Sequence, residues 1–228
     1  MIINNEIKDK AEAVVHDFNS YEAIKDRLII RPLYRESARF NEHFRKTPFV
    51  FRNFGKDAAL AVYVIISDDD NALYTTALLY EVLAQWNMDE DKVFEQAMMN
   101  TANRTPARLY KSLFETDETL GIDPTKPDYT SRLKKDITPM VTTTRQTNGA
   151  IAMMFPNVKE GIAEMFGDSF YVSFTSIHEA LLHKRGVIDP TSIKRSLVET
   201  NRIFGPSDTF TNGVWYYDKE NKTFTEVA

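Results

Sequence analysis

Ser176-Ile177-His178-Glu179 places a hydroxyl, an imidazole and a carboxylate within four positions, the groups of a nucleophile, a general base and an orienting acid. On that reading His178 is the acid/base of a small hydrolase, with Glu179, Ser176 or Asn201 as helpers. Strand geometry opposes it. If Phe170 to Leu182 is one continuous strand, Phe170, Val172, Phe174, Ser176, His178, Ala180 and Leu182 share a face, and Glu179 points to the other. His178 then lies among largely apolar neighbours, bonded to a carbonyl or a polar side chain. A bend at Thr175-Ser176 would undo this geometry.

Metal chemistry has less to work with. Cysteine is absent and His16, His43, His178 and His183 are scattered, so zinc would need carboxylates gathered by the fold. Asp68-Asp69-Asp70 lacks the spaced oxygens, glycine and distal Glu of a calcium loop and reads as a solvated turn. No metal and no cofactor is expected. Glycine-rich phosphate loops and the G-x-S-x-G and H-E-x-x-H patterns are missing from a chain with only eight glycines.

Polar residues also fall where packing alone would not ask for them. Asn100-Thr101 sits near a helix end, Asn148 in an Asn-Gly turn, and Asn201 beside an apolar helical stripe. Capping and turn chemistry explain each locally. Together with Ser176, His178 and Tyr216 they could instead form one polar cluster over a sheet, a binding site containing Asn148 and Asn201.

Charge divides the chain. The formal net charge is −5, but residues 1–56 hold 11 Lys/Arg against 8 Asp/Glu, or +3, and residues 57–228 hold 17 against 25, or −8. A helix running to Lys46 would carry Leu33, Phe40 and Phe44 on one face, and Arg35, Arg39 and Lys46 on the other. That basic face is either solvated or the contact for an acidic partner or a phosphate backbone.

At 228 residues, with 43% apolar and 27% charged side chains, the chain reads as one domain with its own core. It would comprise a basic, helix-rich segment 1–56 packed on the remainder, and a long exposed loop at 116–136. No basic segment followed by an apolar stretch opens the chain, and no run approaches 18 apolar residues, so a cytoplasmic protein without a membrane is expected.

The elements that must position these residues follow from period and punctuation. A helix is expected up to Phe18-Asn19-Ser20, and Leu28-Ile29-Ile30 is either a short strand or the approach to a helix containing Pro32. Ala58 to Ile66 is apolar without alternation, a strand covered on both faces, with Ala72 to Leu79 returning as a hairpin. Asp89-Glu90-Asp91 and Thr105-Pro106 each open a helix, the second carrying Leu109, Tyr110, Leu113 and Phe114. Strands are expected at 137–144 and 150–155 about the Asn148-Gly149 turn, then a helix from Asn157 to Gly167. Ser169 to Ser176 is a further strand, continuing into or pairing with Ile177 to Lys184, and a helix follows Asp189-Pro190 with Ile193, Leu197 and Phe204 on its stripe; a terminal hairpin closes the chain. This rhythm predicts the α+β class, an antiparallel or mixed sheet built from ββα-like units and covered by helices.

The order of landmarks from Tyr63 onward resembles a family. Ala61-Val62-Tyr63-Val64-Ile65, Trp86, Asn100-Thr101, Pro106, Asn148-Gly149-Ala150, Phe155-Pro156 and Ser176-Ile177-His178-Glu179 occur in sequence, followed by Asn201, Ser207-Asp208 and Trp215-Tyr216-Tyr217-Asp218. Over Ile24 to Asp218 this is similar to an uncharacterised bacterial domain-of-unknown-function family, frequent in anaerobic Gram-positive bacteria and their mobile elements. Members typically read Pro-Ser-Ser-Ile-His-Glu at the late strand; here Phe174-Thr175 stands at the first two positions. The resemblance implies a bacterial cytoplasmic protein of one domain and brings no established reaction.

The expected function is therefore non-catalytic: binding or regulation of another macromolecule, with the resemblance pointing to a counter-defence or accessory factor of a mobile element. A protein partner is expected and nucleic acid is disfavoured by the net charge. The hydrolase built on His178 and Glu179 is the alternative.

Overall fold

The apolar run from Ala58 is the axis of the first sheet. In the computed structural model, which describes residues 17–69, 72–112, 121–127, 133 and 138–228, β1 (Leu28–Tyr34) pairs along one edge of β3 (Ala58–Asp68). β2 (Phe51–Phe54) and β4 (Leu73–Ala77) follow one another along the opposite edge. Both faces of β3 are covered, as its lack of alternation predicts. Leu60, Val62 and Val64 enter the main core, whereas Ala59 and Ala61 face a smaller aromatic cluster. Those alanines leave room for Phe40, Phe44, Phe49 and Phe51, whose ring centroids lie 5.2 to 5.9 Å apart.

The second sheet contains β5 (Ala107–Tyr110), β6 (Met140–Thr143), β7 (Phe170–Ser173), β8 (Ala180–Lys184), β9 (Val214–Asp218) and β10 (Thr223–Glu226). Their spatial order is β10-β9-β7-β8-β6-β5. Every pairing among the described residues is antiparallel. The short helix α1 (Tyr21–Ile24) precedes β1, and α2 (Ala38–Lys46) lies between β1 and β2. The pair β3–β4 is followed by α3 (Tyr80–Trp86) and α4 (Glu90–Arg104), β5–β6 by α5 (Val158–Phe166), and β7–β8 by α6 (Pro190–Phe204). The ββα rhythm and the α+β class are thus present.

One seam joins the sheets. Phe54 stacks on Trp215 with centroids 3.9 Å apart and on Phe210 at 5.2 Å. Gly55 follows at φ +62°, and a Cβ there would stand 2.5 Å from the Glu226 carboxylate and 2.9 Å from the Trp215 ring. Asp57 then accepts from Thr211 Oγ1 at 2.5 Å and from the Asn212 amide at 2.8 Å.

Several expectations are corrected. Of the two readings around Leu28-Ile29-Ile30 the strand holds and runs to Tyr34, which removes the helix containing Pro32. The Ile30 amide points away from β3 to Thr101 Oγ1 at 2.8 Å, and Pro32, two residues on, faces the same way, so its missing N–H costs no ladder bond. The helix begins only at Ala38, after Ser37 Oγ accepts from the Phe40 amide, and Arg35 lies in the preceding turn. Thr105-Pro106 closes a helix instead of opening one: Thr105 donates its amide and hydroxyl to the Thr101 carbonyl. Pro106 cannot continue the turn, and Ala107–Tyr110 pairs with Met140–Thr143.

Gly149–Met154 is a 3-10 helix, not a returning strand. Gln146 and Asn148 both have positive φ, and Gly149 is wedged where a Cβ would meet Thr142 Oγ1 at 2.0 Å and the His178 carbonyl at 2.4 Å. The chain therefore coils into the core. Phe170 to Leu182 is likewise not one strand, because it bends between Ser173 and Ala180. Phe204 is 61% exposed, since the four-residue step of Ile193, Leu197 and Asn201 leads to Gly205 and turns Phe204 outward.

The helix expected before Ser20 and much of the 116–136 loop lie outside the described residues. In the described part of that loop Thr125 and Lys126 are exposed, and other residues are packed. Ile122 exchanges both backbone hydrogen bonds with Leu109, Leu133 is buried, and the Pro124 carbonyl rests on Gly161 of α5. A Cβ at Gly161 would stand 1.8 Å from that carbonyl oxygen. Gly161→Ala is accordingly expected to lower unfolding free energy by about 1–3 kcal/mol in urea titration, through overpacking against backbone.

Candidate functional site

The residues with chemical promise meet in the bend between β7 and β8. Thr175 and Ser176 both donate their hydroxyls to one Glu179 oxygen at 2.8 Å. The His178 amide donates to Ser176 Oγ at 2.8 Å, and Thr142 donates to the His178 carbonyl at 2.7 Å. His178 Nδ1 accepts from the Asn148 amide at 3.1 Å, so the neutral ring carries its proton on Nε2. The loop is further pinned by the Ile177 amide on the Asp208 carbonyl and by the Ala150 amide on the Ile177 carbonyl.

The bend brings Glu179 to Ser176, which a straight strand forbids, but it does not assemble a relay. Ser176 gives its proton to Glu179, and the imidazole is bonded to a backbone amide. Hydroxyls and carboxylate close the turn.

The other expected site residues divide among separate groups. Asn100 donates to the Lys25 and Leu28 carbonyls, and Thr101 holds Ile30, so this pair fastens α4 to β1. Asn201 donates to the Thr211 carbonyl at 3.1 Å and to Asn212 Oδ1 at 3.0 Å. Asn212 donates onward to the Tyr34 hydroxyl, which donates to Glu36. Burial first and Glu36 second push the Tyr34 phenol up to about 12. Asn148 and Asn201 thus belong to different hydrogen-bond groups, and Tyr216 packs on Tyr171 in a third place.

The two described side chains of the expected basic face lie on different elements. Lys46 pairs with Glu42 at 2.7 Å on the exposed side of α2. Arg35 is half-buried in the turn, its amide on the Asp57 carbonyl. The Arg39 side chain lies outside the described residues.

A charged cleft of ≈ 780 Å³ was not legible in the sequence. It runs beside β1 and is lined by Arg31, Arg104 and Arg145, with Asp68 and Asp69, Thr101, Thr105, Thr147 and Asn148. Asp68 pairs with Arg145 at 2.7 Å and with Arg104 at 3.6 Å. Arg31 donates to Thr75 at 2.8 Å and lies 5.2 Å from the Tyr63 ring centroid. Among the described residues no group of three His, Cys, Asp or Glu is placed to hold a metal ion, and no helix is long and apolar enough to cross a membrane.

Sequence reasoning also passed over His183. Its Nε2 lies 2.8 Å from Ser173 Oγ across the β7–β8 pair, and burial pulls its pKa down to about 4 from 6.5. The unfolded chain therefore binds a proton that the folded protein refuses, so this histidine's contribution is complete above pH 6.5 and is lost as pH falls toward 4. Denaturant titrations at pH 7.5 and 4.5 are expected to differ by on the order of 2–3 kcal/mol more in the wild type than in His183→Gln.

A family model matches residues 1–219, that of the family of unknown function DUF5688, and the chain belongs to that family. No curated protein and no solved structure matches it significantly.

Proposed function

We propose that this member of a family of unknown function is a non-catalytic binding protein that engages an acidic surface of another protein through the cleft beside β1. The observation that carries the reading is the convergence of Arg31, Arg104 and Arg145, from three distant segments, on one open cleft of a chain whose net charge is −5. Asp68 and Asp69 share the cleft and Asp68 pairs with Arg104 and Arg145, so the three guanidinium groups leave an excess of one positive charge among the described lining residues, on a molecule that is acidic overall. Arginine also pairs carboxylates through two parallel hydrogen bonds, which favours a protein partner with Asp or Glu at the contact. The net charge disfavours a nucleic-acid backbone.

The resemblance to proteins of anaerobic Gram-positive bacteria and their mobile elements is the support for a cytoplasmic setting and for an accessory or counter-defence role. The hydrolase reading draws no support from the bend, where Ser176 donates to Glu179 and His178 Nδ1 is occupied by Asn148.

Charge reversal tests the proposal. Arg104→Glu with Arg145→Glu is expected to weaken capture of a native-host partner at least tenfold at low salt, with circular dichroism unchanged. Loss of that partner from Arg39→Glu with Lys46→Glu instead would move the contact to the amino-terminal basic segment and overturn the cleft assignment.

A further inference from the structure

A second pocket of ≈ 340 Å³ lies on the outer face of the first sheet, meeting the charged cleft only at Arg31 and Asn148. We propose that it binds a small organic anion, a carboxylate or its equivalent on an aromatic or branched apolar body.

The floor is apolar. Phe40 comes from α2, Phe49 from the segment before β2 and Tyr63 from β3, while Ile177 and Pro206 close the far side. The alanines of β3 let Phe40 and Phe49 settle against the sheet as buried residues, Tyr63 and Ile177 are half-buried, and Pro206 and Ser207 form an exposed rim. Among the described residues that line it, Arg31 is the one charged group; the remaining polar groups are hydroxyls and the Asn148 amide.

Arg31 is held in place. Its bond to Thr75 and its position over the Tyr63 ring restrict the long side chain before any ligand arrives. A guanidinium held beside aromatic rings is suited to a carboxylate, because it offers directed N–H donors and little rotamer freedom is lost on binding. A volume of this size sits at the lower end of small-molecule sites, which combine apolar walls with a few placed polar groups. One or two fused rings bearing one negative charge fit that description. A polyanion does not, since one cation would face several charges.

The bend at 174–179 has a part here that its own hydrogen bonds do not reveal. Ile177 reaches the pocket because its amide is tied to the Asp208 carbonyl at 2.7 Å, and the same tie sets Pro206 and Ser207 at the rim. Asn148, Ile177 and Ser207, far apart in the chain, are brought to one wall.

The probe is 2-naphthoate, with 2-naphthylmethanol as its uncharged counterpart and acetate as the anion without a body, each titrated into the full chain by calorimetry. Saturable one-to-one binding of 2-naphthoate is expected, at least tenfold tighter than either control. Ser207→Glu, an exposed rim substitution that places a carboxylate beside the site, is expected to weaken 2-naphthoate at least tenfold and to leave the alcohol unchanged. Arg31→Gln, which keeps a donor for Thr75, is expected to do the same; if it does not fold, Ser207→Glu still decides. Equal affinity for naphthoate and alcohol, no saturation, or an unaltered naphthoate affinity in Ser207→Glu overturns the proposal. Partner capture by Ser207→Glu reports separately on the charged cleft, because Ser207 does not line it.

Discussion

The two sheets bury one common core, and the tip of the β2–β3 hairpin adds a lock between them; both cavities depend on the relation that results. Phe54 enters an aromatic stack with Trp215 and Phe210, Gly55 admits the close approach, and Asp57 clamps the Thr211 hydroxyl and the Asn212 amide. Burial of one phenylalanine contributes roughly 1.5–3 kcal/mol, and the carboxylate adds hydrogen bonds of the stronger, charge-assisted kind. The charged cleft has β1 on one side and the segment around Arg145 on the other. The pocket likewise sets β1 and β4 of one sheet against Ile177 and Ser207 from around the other. Neither has a complete wall within a single sheet.

Groups suited to catalysis are used here to make corners. Glu179 collects two hydroxyls, Ser176 also caps the His178 amide, and Asn148 presents its own amide to the imidazole. Each bond satisfies a polar group that a sharp bend would otherwise leave without a strand ladder. The result positions Ile177 and Asp208 accurately, and the loop matters to the surface through what it carries. Buried polar groups serve similar ends elsewhere: Asn100 and Thr101 cover the free edge of β1, which protects outward-facing backbone groups and leaves α4 delivering Arg104 to the cleft.

Legibility in the sequence followed the range of the interactions concerned. The caps at Asp89 and Asp189, the covered strand at Ala58 and the closing glycine at Gly167 were readable because their causes lie within a few residues. Thr105-Pro106 was misread because the same dipeptide chemistry stops a helix as well as starting one, and the choice came from Met140–Thr143 pairing with the following residues. The Asn148-Gly149 turn was misread for a related reason. Its glycine answers to close packing against Thr142 and the His178 carbonyl, not to a hairpin. The basic face belonged to the helical one of two readings left open around Leu28-Ile29-Ile30, and local pattern could not choose; the strand, its edge covered by Thr101, runs to Tyr34.

By itself the sequence determined the α+β class, most elements with local caps, and a charge asymmetry between the first 56 residues and the rest. These rest on period, turn chemistry and composition, which need no knowledge of distant partners. Tertiary structure decided which charges and rings share a space. Asp68 and Arg145 stand 77 positions apart and meet at 2.7 Å, and Asp57 reaches Asn212 across 155 positions. No local pattern encodes such pairs, because they form only when the sheets bury a common core and the polar groups at its edge must find whatever partners that packing brings near.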